Sequence, residues 1–239
     1  MKKIILATVV SISILSCKQE PTFDYKYADQ SPAITCENND TTLFNEAYYA
    51  FENAIVTQAK NNNRRPNFKI TTDYALRSFI YRARGNMRIT DFITQEAFDV
   101  FNVLKNKDIW DGIQLKNNAE ITKCIGDNIS NSNIKESFNT LLSVESLHPN
   151  LVASAIIDNK TVRDQYKDKV LMTYVALDMY YSKFFNTDLS NIEFLVEKDP
   201  TNEPLPSVKL NAPEIGKKLN LNTGKNNKQQ HGSHDGHNH

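Results

Sequence analysis

A mainly α-helical fold, built as a helical bundle or as stacked helical hairpins, is predicted by three observations. Apolar residues recur at three- and four-residue steps through most of the chain between residues 40 and 198. Ser, Thr, Asp or Asn stands just ahead of several of these stretches, where a helix start needs a side-chain acceptor. Breaks containing Asn, Gly or Pro then separate one stretch from the next.

The first helix is expected over about Thr42 to Lys60. Leu43, Phe44, Ala47, Tyr48, Phe51 and Ile55 keep helical steps there, after the capping candidates Asp40 to Thr42. The run from Asn61 to Pro66 ends it, because Pro66 has no backbone donor and asparagine favours turns. A second helix starts after Thr72, turns Tyr74, Ala75, Phe79, Ile80 and Ala83 inward, and stops at Gly85. Thr94 caps a third, with Phe98, Phe101 and Leu104 on one face. Ile109 to Leu115 reads equally as a short strand, an irregular loop or a helix. Asn133 and Glu136 stand at capping-box spacing ahead of Ile134, Phe138, Leu141 and Leu142, and Pro149 interrupts the chain before Leu151 to Ile157 resumes the pattern. Thr161 and Asp164 form a similar capping pair before the longest periodic segment. In it Tyr166, Val170, Tyr174, Leu177, Tyr181 and Phe184 keep a nearly heptad rhythm, which marks the expected central helix of the core.

Two halves of the chain share some features. Cys36 and Cys124 each precede an amphipathic helix containing a Phe, and aromatic-rich helices follow at Tyr74 to Tyr81 and at Tyr174 to Phe185. A duplicated helical unit is therefore one reading, set against an unrepeated bundle because the spacings differ and the identities are few.

The N-terminus opens Met1-Lys2-Lys3, continues through an apolar run from Ile4 to Ile14, and reaches Leu15-Ser16-Cys17 before turning polar. A charged start, a short apolar centre and a small-residue exit read as a secretory signal over residues 1–16. The run is well short of the ~20 residues that a helix needs to cross a bilayer. Leu15-Ser16-Cys17 resembles the lipobox of bacterial lipoproteins, a resemblance confined to the first seventeen residues. It implies that Cys17 is diacylated and becomes the first residue. Each buried methylene then contributes about 0.8 kcal/mol, and two or more chains anchor stably. Lys18 is not Asp, so the inner-membrane retention signal of some lipoproteins is absent, which favours the outer membrane, facing the periplasm or the surface. Residues 17–39, polar with Pro21 and Pro32, are expected to form an extended tether, and residues 40–198 the helical domain. Residues 199–239, rich in Asn, Lys and Pro, have the composition of a disordered tail.

Lys plus Arg equals Asp plus Glu at 28 each, so no global basic field attracts nucleic acid, which is not an expected partner. With Cys17 carrying lipid, Cys36 and Cys124 form an even pair in an oxidising compartment, which suggests a disulfide; two buried free thiols are the alternative.

Candidates for chemistry are few. His231, His234, His237 and His239 alternate with Gly, Ser, Asp and Asn in the last nine residues, a pattern similar to the His-rich tails of metal-handling proteins. Neutral imidazole suits Zn²⁺, Cu²⁺ and Ni²⁺, and a flexible backbone lets several rings converge on one ion. Glu145 and His148 have the i, i+3 spacing that di-iron carboxylate bundles use. A second such pair is missing from the domain, so His148 reads instead as a helix-end residue meeting the negative end of the dipole. No G-x-S-x-G, H-E-x-x-H or phosphate-gripping glycine loop occurs. A carboxylate-only site stays open, because sequence cannot nominate a pair among so many acids. Tyr48, Tyr49, Tyr74, Tyr81, Tyr174, Tyr180 and Tyr181 lie on expected helices, and core packing with hydroxyls reaching the surface is favoured over a ligand groove.

The reading that results is a lipid-anchored component of the bacterial envelope whose helical domain acts in binding or scaffolding without catalysis, with the membrane as partner through the lipid anchor and an envelope protein as a further candidate partner. A metal-handling lipoprotein acting through its tail is the principal alternative, and an envelope enzyme with a carboxylate site the second. Calorimetric titration of Zn²⁺, Cu²⁺ and Ni²⁺ into the lipid-free chain separates them. Binding tighter than about micromolar (about 8 kcal/mol) that disappears on deleting residues 231–239 is the expected sign of metal handling.

Overall fold

The computed structural model describes residues 23–37, 40–65, 67–158 and 165–198. The signal peptide, Cys17, Pro66, the Thr161 and Asp164 capping pair and the whole tail with its four histidines lie outside the described residues. The fold is mainly helical, as the periodicity predicts.

Helix α1 spans Thr41–Asn61 and α2 Thr72–Ala83; a 3₁₀ turn at Ile89–Phe92 leads into α3, Gln95–Leu104. Each α-helix starts where a side chain can take an orphan N–H: Asp40 accepts from Leu43, Thr71 from Tyr74 and Thr94 from Ala97. The ambiguous stretch after α3 is a β-hairpin. Strands β1 (Trp110–Asp111) and β2 (Gln114–Leu115) pair antiparallel, with Trp110 opposite Leu115. Gly112, at φ 59°, supplies the positive φ that a two-residue hairpin turn needs at its first central position.

Helices α4 (Glu120–Asn128), α5 (Ser132–Ser143) and α6 (Pro149–Asp158) follow. The cap of α5 is Asn131, whose side chain accepts from Ile134, so the expected capping box at Asn133 is displaced by two residues. Gly126 permits the α4–α5 approach: a Cβ there would collide with the Asn139 side chain, whose amide donates to the Gly126 carbonyl at 3.0 Å.

The last helix is central, as expected, but it is not one amphipathic heptad run. After a 3₁₀ turn at Gln165–Lys167, Asp168 caps α7 (Lys169–Tyr174), which widens into a π-helical segment over Val175–Tyr180 and tightens to 3₁₀ over Tyr181–Asn186. Every residue from Leu171 to Ser182 is buried. A helix enclosed on all sides has no solvent face, so a stripe is the wrong description of it. It packs against α1, α2, α4 and α6, while α1 also receives α2 and α3. Phe51, Phe79, Phe92 and Tyr180 meet mostly edge to face at centroid distances of 5.0 to 6.0 Å. Each such pair contributes about 0.5–1.5 kcal/mol beyond area burial.

Part of the expected tether belongs to the folded body. Ala33, Ile34 and Cys36 are buried. The backbone N–H groups of Lys26 and Tyr27 donate to the buried Glu46 carboxylate at 2.8 and 2.9 Å, and those of Ala33 and Ile34 to Asn45 Oδ1 at 2.7 and 2.9 Å. An extended segment has no periodicity to betray its burial, and its acceptors reside on α1. At the other end, residues 190–198 run back over α1. Leu195 N–H donates to the Ile93 carbonyl at 2.8 Å and Lys198 N–H to Asn61 at 2.9 Å.

Cys36 and Cys124 are disulfide-bonded with Cα atoms 5.9 Å apart, tying the N-terminal segment to α4. Cys36 lies in that extended segment, whereas Cys124 lies inside a helix, so the two cysteines do not occupy the equivalent places that a duplicated unit would give them. Closing a loop with a sequence separation of 88 stabilises by about 4–5 kcal/mol in the chain-entropy picture. The Cys36→Ser/Cys124→Ser variant is expected to lose about 2–5 kcal/mol in urea unfolding; an unchanged midpoint would show that the bridge carries no stability.

Candidate functional site

Two adjoining hollows, ≈ 380 and ≈ 210 Å³, open where the hairpin, the α5–α6 turn and the π-helical segment meet. Gln114, His148, Pro149 and Asp178 line both. π-helical turns concentrate at functional sites, and here the widened turn carries Asp178 at the head of a short polar chain. Asp178 Oδ1 accepts the Leu115 N–H at 3.1 Å and Oδ2 the Tyr174 hydroxyl at 2.6 Å. Burial pushes the Asp178 carboxyl above the ordinary carboxylate range; the Tyr174 and Leu115 hydrogen bonds and the charges of His148 and Lys183 pull it back. Burial likewise holds the Tyr174 hydroxyl well above its ordinary range, reinforced by Asp178.

A buried carboxyl with a raised pKa in a cleft is a recognised candidate for acid–base work. Both of its oxygens are already acceptors, however, and both partners belong to the fold. The arrangement bolts the hairpin backbone to the central helix, and that is what its geometry does.

Glu145 and His148 are not aligned on one helix. Glu145 sits at φ 52° just past the end of α5, where Ser146 N–H reaches the Leu141 carbonyl and Glu145 N–H the Leu142 carbonyl, a Schellman turn. His148 stands at the start of α6, not at the end of α5. Its carbonyl accepts from Leu151 and Val152, and its Nδ1 accepts from Asn150 at 3.4 Å. The reading of His148 as a cation on a negative helix end is therefore corrected: Pro149, lacking an N–H, begins a new helix directly after it. Among the described residues no three His, Cys, Asp or Glu side chains converge as a metal site. His231, His234, His237 and His239 lie outside the described residues, as does Cys17.

The tyrosines divide. Tyr48, Tyr174, Tyr180 and Tyr181 are enclosed in the core; the hydroxyls of Tyr174, Tyr180 and Tyr181 find partners there, whereas that of Tyr48 reaches the half-buried Glu52. Tyr49 accepts from Lys169 Nζ at 2.7 Å and donates to the Ser31 carbonyl at 2.6 Å, latching the N-terminal segment to α7. Tyr27, in the same segment, is pushed up to about 12 by burial first and then by Glu96 and Glu46. Tyr74 and Tyr81 face solvent, 46 and 49 % exposed.

Those two tyrosines belong to a surface that net charge conceals. Six of the seven arginines in the chain fall between residues 64 and 88, with Lys69 among them and Asp73 the single acid. All six arginines and Lys69 are exposed. Tyr74, Arg77, Tyr81 and Arg84 follow one another at three- and four-residue steps along the outer face of α2. The Arg77 guanidinium lies 5.8 Å from the Tyr81 ring, the exposed Phe68 meets Tyr74 edge to face at 5.1 Å, and Arg65 covers Phe68 at 6.0 Å. Arg88 pairs with Asp91 at 3.0 Å, and among the described residues no other arginine of the group has an ion-pair partner. A windowed charge count would have found this face in the sequence, whereas the whole-chain balance hides it.

No protein family, no curated protein and no solved structure matches this chain.

Because the folded Asp178 carboxyl is raised above its ordinary value of 3.8, the native state holds that proton more tightly than the unfolded chain. Its contribution is therefore fully present in acid and is lost as pH rises through the folded value. Urea midpoints of wild type, measured against Asp178→Asn, are expected to fall as pH rises from about 4 to about 7. Tyr174→Phe, which strips one partner from a buried carboxylate, is expected to cost about 1–3 kcal/mol at neutral pH and less in acid. Parallel pH profiles for wild type and Asp178→Asn would refute the assignment.

Proposed function

We propose that this protein is a lipid-anchored component of the bacterial cell envelope, tethered at the outer membrane through Cys17, whose helical domain is a non-catalytic binding module. Its recognition surface is the arginine–aromatic face of α2. The observation that carries the reading is that face: a row of exposed guanidinium groups alternating with exposed tyrosines on a disulfide-braced domain. The guanidinium groups and rings lie on the surface, where their removal would leave the core intact, so burial does not account for their clustering. Arginine and tyrosine are also the residue types that dominate binding energy at interfaces.

The anchor is supported by the lipobox-like Leu15-Ser16-Cys17. Among the described residues no helix is long and apolar enough to cross a membrane, so attachment through acyl chains is consistent with the described fold. The disulfide suits a compartment outside the cytoplasm. The metal-handling alternative depends on the four tail histidines, and the calorimetric titration described above decides it independently of the α2 face.

Growth of cells expressing the protein with radiolabelled palmitate tests the anchor. Label on the wild-type chain, its loss in Cys17→Ala, and release of that variant from membranes washed in high salt are the expected results. An unlabelled wild-type chain would remove the anchor from the proposal.

A further inference from the structure

We infer that the outer face of α2 docks on an anionic phospholipid bilayer, its arginines meeting headgroup phosphates while Phe68, Tyr74 and Tyr81 enter the interfacial layer. The inference rests on the lipid-anchor reading above and names the partner of its recognition face. Three observations converge on it. The charge is concentrated, with Arg64, Arg65, Lys69, Arg77, Arg82 and Arg84 exposed on one stretch of chain. The rings are placed to use a bilayer: tyrosine joins an apolar body to a polar tip and settles at the water–hydrocarbon boundary, and arginine lays its stem on apolar surface while its guanidinium stays with phosphate. Finally, the reach is short. The described fold begins at Phe23, six residues beyond Cys17, and at most about 3.6 Å per residue holds that point within roughly 20 Å of the acyl chains. Tethering at such a distance raises the effective concentration of headgroups at the domain.

Other occupants fit less well. The C-terminal stretch of residues 199–239 carries five lysines against four acids, so it offers the face no opposite charge. A second copy could offer the acidic hollow lined by Asp24, Glu46, Glu96 and Asp99. In that hollow Glu46 is already an acceptor for two backbone N–H groups, and Glu96 is paired with Lys26 at 3.3 Å.

Co-sedimentation with vesicles tests the docking without the lipid anchor. The chain from Lys18 onward, which contains every described residue, is mixed with phosphatidylcholine vesicles and with vesicles that also contain phosphatidylglycerol. Binding to the anionic vesicles only, strong near 0.1 M salt and lost near 1 M as the Debye length falls from about 10 to about 3 Å, is the expected result. Each arginine near the surface strengthens partitioning about fivefold, so Arg77→Glu/Arg84→Glu should weaken it about 25-fold or more. Tyr74→Ala/Tyr81→Ala should weaken it while leaving the salt dependence in place, and serves as the second variant if charge reversal unfolds the domain. Absence of binding to anionic vesicles, or binding indifferent to both variants, overturns the inference. So does a concentration-dependent dimer abolished by the same substitutions without vesicle binding. Palmitate labelling of Cys17 reports on the anchor separately, so failure of the docking and failure of the anchor are read from different measurements.

Discussion

The structure depends on one constraint: a helix buried on every side still carries polar side chains, and each must find a partner inside the fold. From Leu171 to Ser182 no residue reaches solvent, yet the segment includes Thr173, Tyr174, Asp178, Tyr180, Tyr181 and Ser182. Thr173 and Ser182 return their hydroxyls to carbonyls one turn back, those of Lys169 and Asp178, at 2.8 and 2.6 Å. Tyr180 and Tyr181 reach outward instead, donating to the Phe92 carbonyl at 2.8 Å and the Ala47 carbonyl at 3.0 Å. Leaving any one of these groups unpaired would cost about 1–3 kcal/mol. The surrounding elements are therefore held at defined heights and angles, not merely pressed against an apolar cylinder.

The rest of the architecture follows from satisfying that helix. Tyr181 pins α1, and Tyr180 pins the 3₁₀ turn before α3. Asp178, itself oriented by Tyr174, pins the hairpin through the Leu115 N–H. The π-helical widening lies in the middle of this scheme. Widening the turn moves the side chains after it to a new angular position, and the contacting rings of Tyr180 and Tyr181 send their hydroxyls to two different elements, the 3₁₀ turn and α1. The N-terminal segment is then laid over α1 by Asn45, Glu46 and the disulfide, and residues 190–198 close the opposite end.

Around this interior the surface is electrically uneven. Equal numbers of acids and bases conceal a basic, aromatic α2 face and a separate acidic hollow near Glu96. The Asp178 cleft, the more enzyme-like feature, spends its carboxylate on the fold. A binding role on the α2 face asks nothing further of the interior, since its side chains are already free to meet a partner. The proposed anchor and the proposed docking face also complement one another physically: the acyl chains supply the stable hold, and the basic patch sets which face of the domain turns toward the headgroups.

Much of the fold was legible in the sequence by itself. Periodicity with capping acceptors placed α1, α2 and α3 within a residue or two, because local hydrogen-bond needs at helix ends are written in the residues beside them. Setting Cys17 aside for lipid left two cysteines, a pairing that pointed to the Cys36–Cys124 bridge. Pro149 and its neighbours marked a break, but whether His148 closed one helix or opened the next depended on Glu145 adopting a positive φ. The hairpin, the packing of residues 23–37 and the full enclosure of the last helix were decided by tertiary structure alone, since each depends on a partner far away in sequence: Asp178 for Leu115, Glu46 for Tyr27, Phe92 for Tyr180. The sequence determined where α1, α2 and α3 begin and which residues are apolar, because those are short-range properties of the chain. Which polar groups are buried, and therefore which faces remain free to bind, was settled only when distant segments met and exchanged hydrogen bonds.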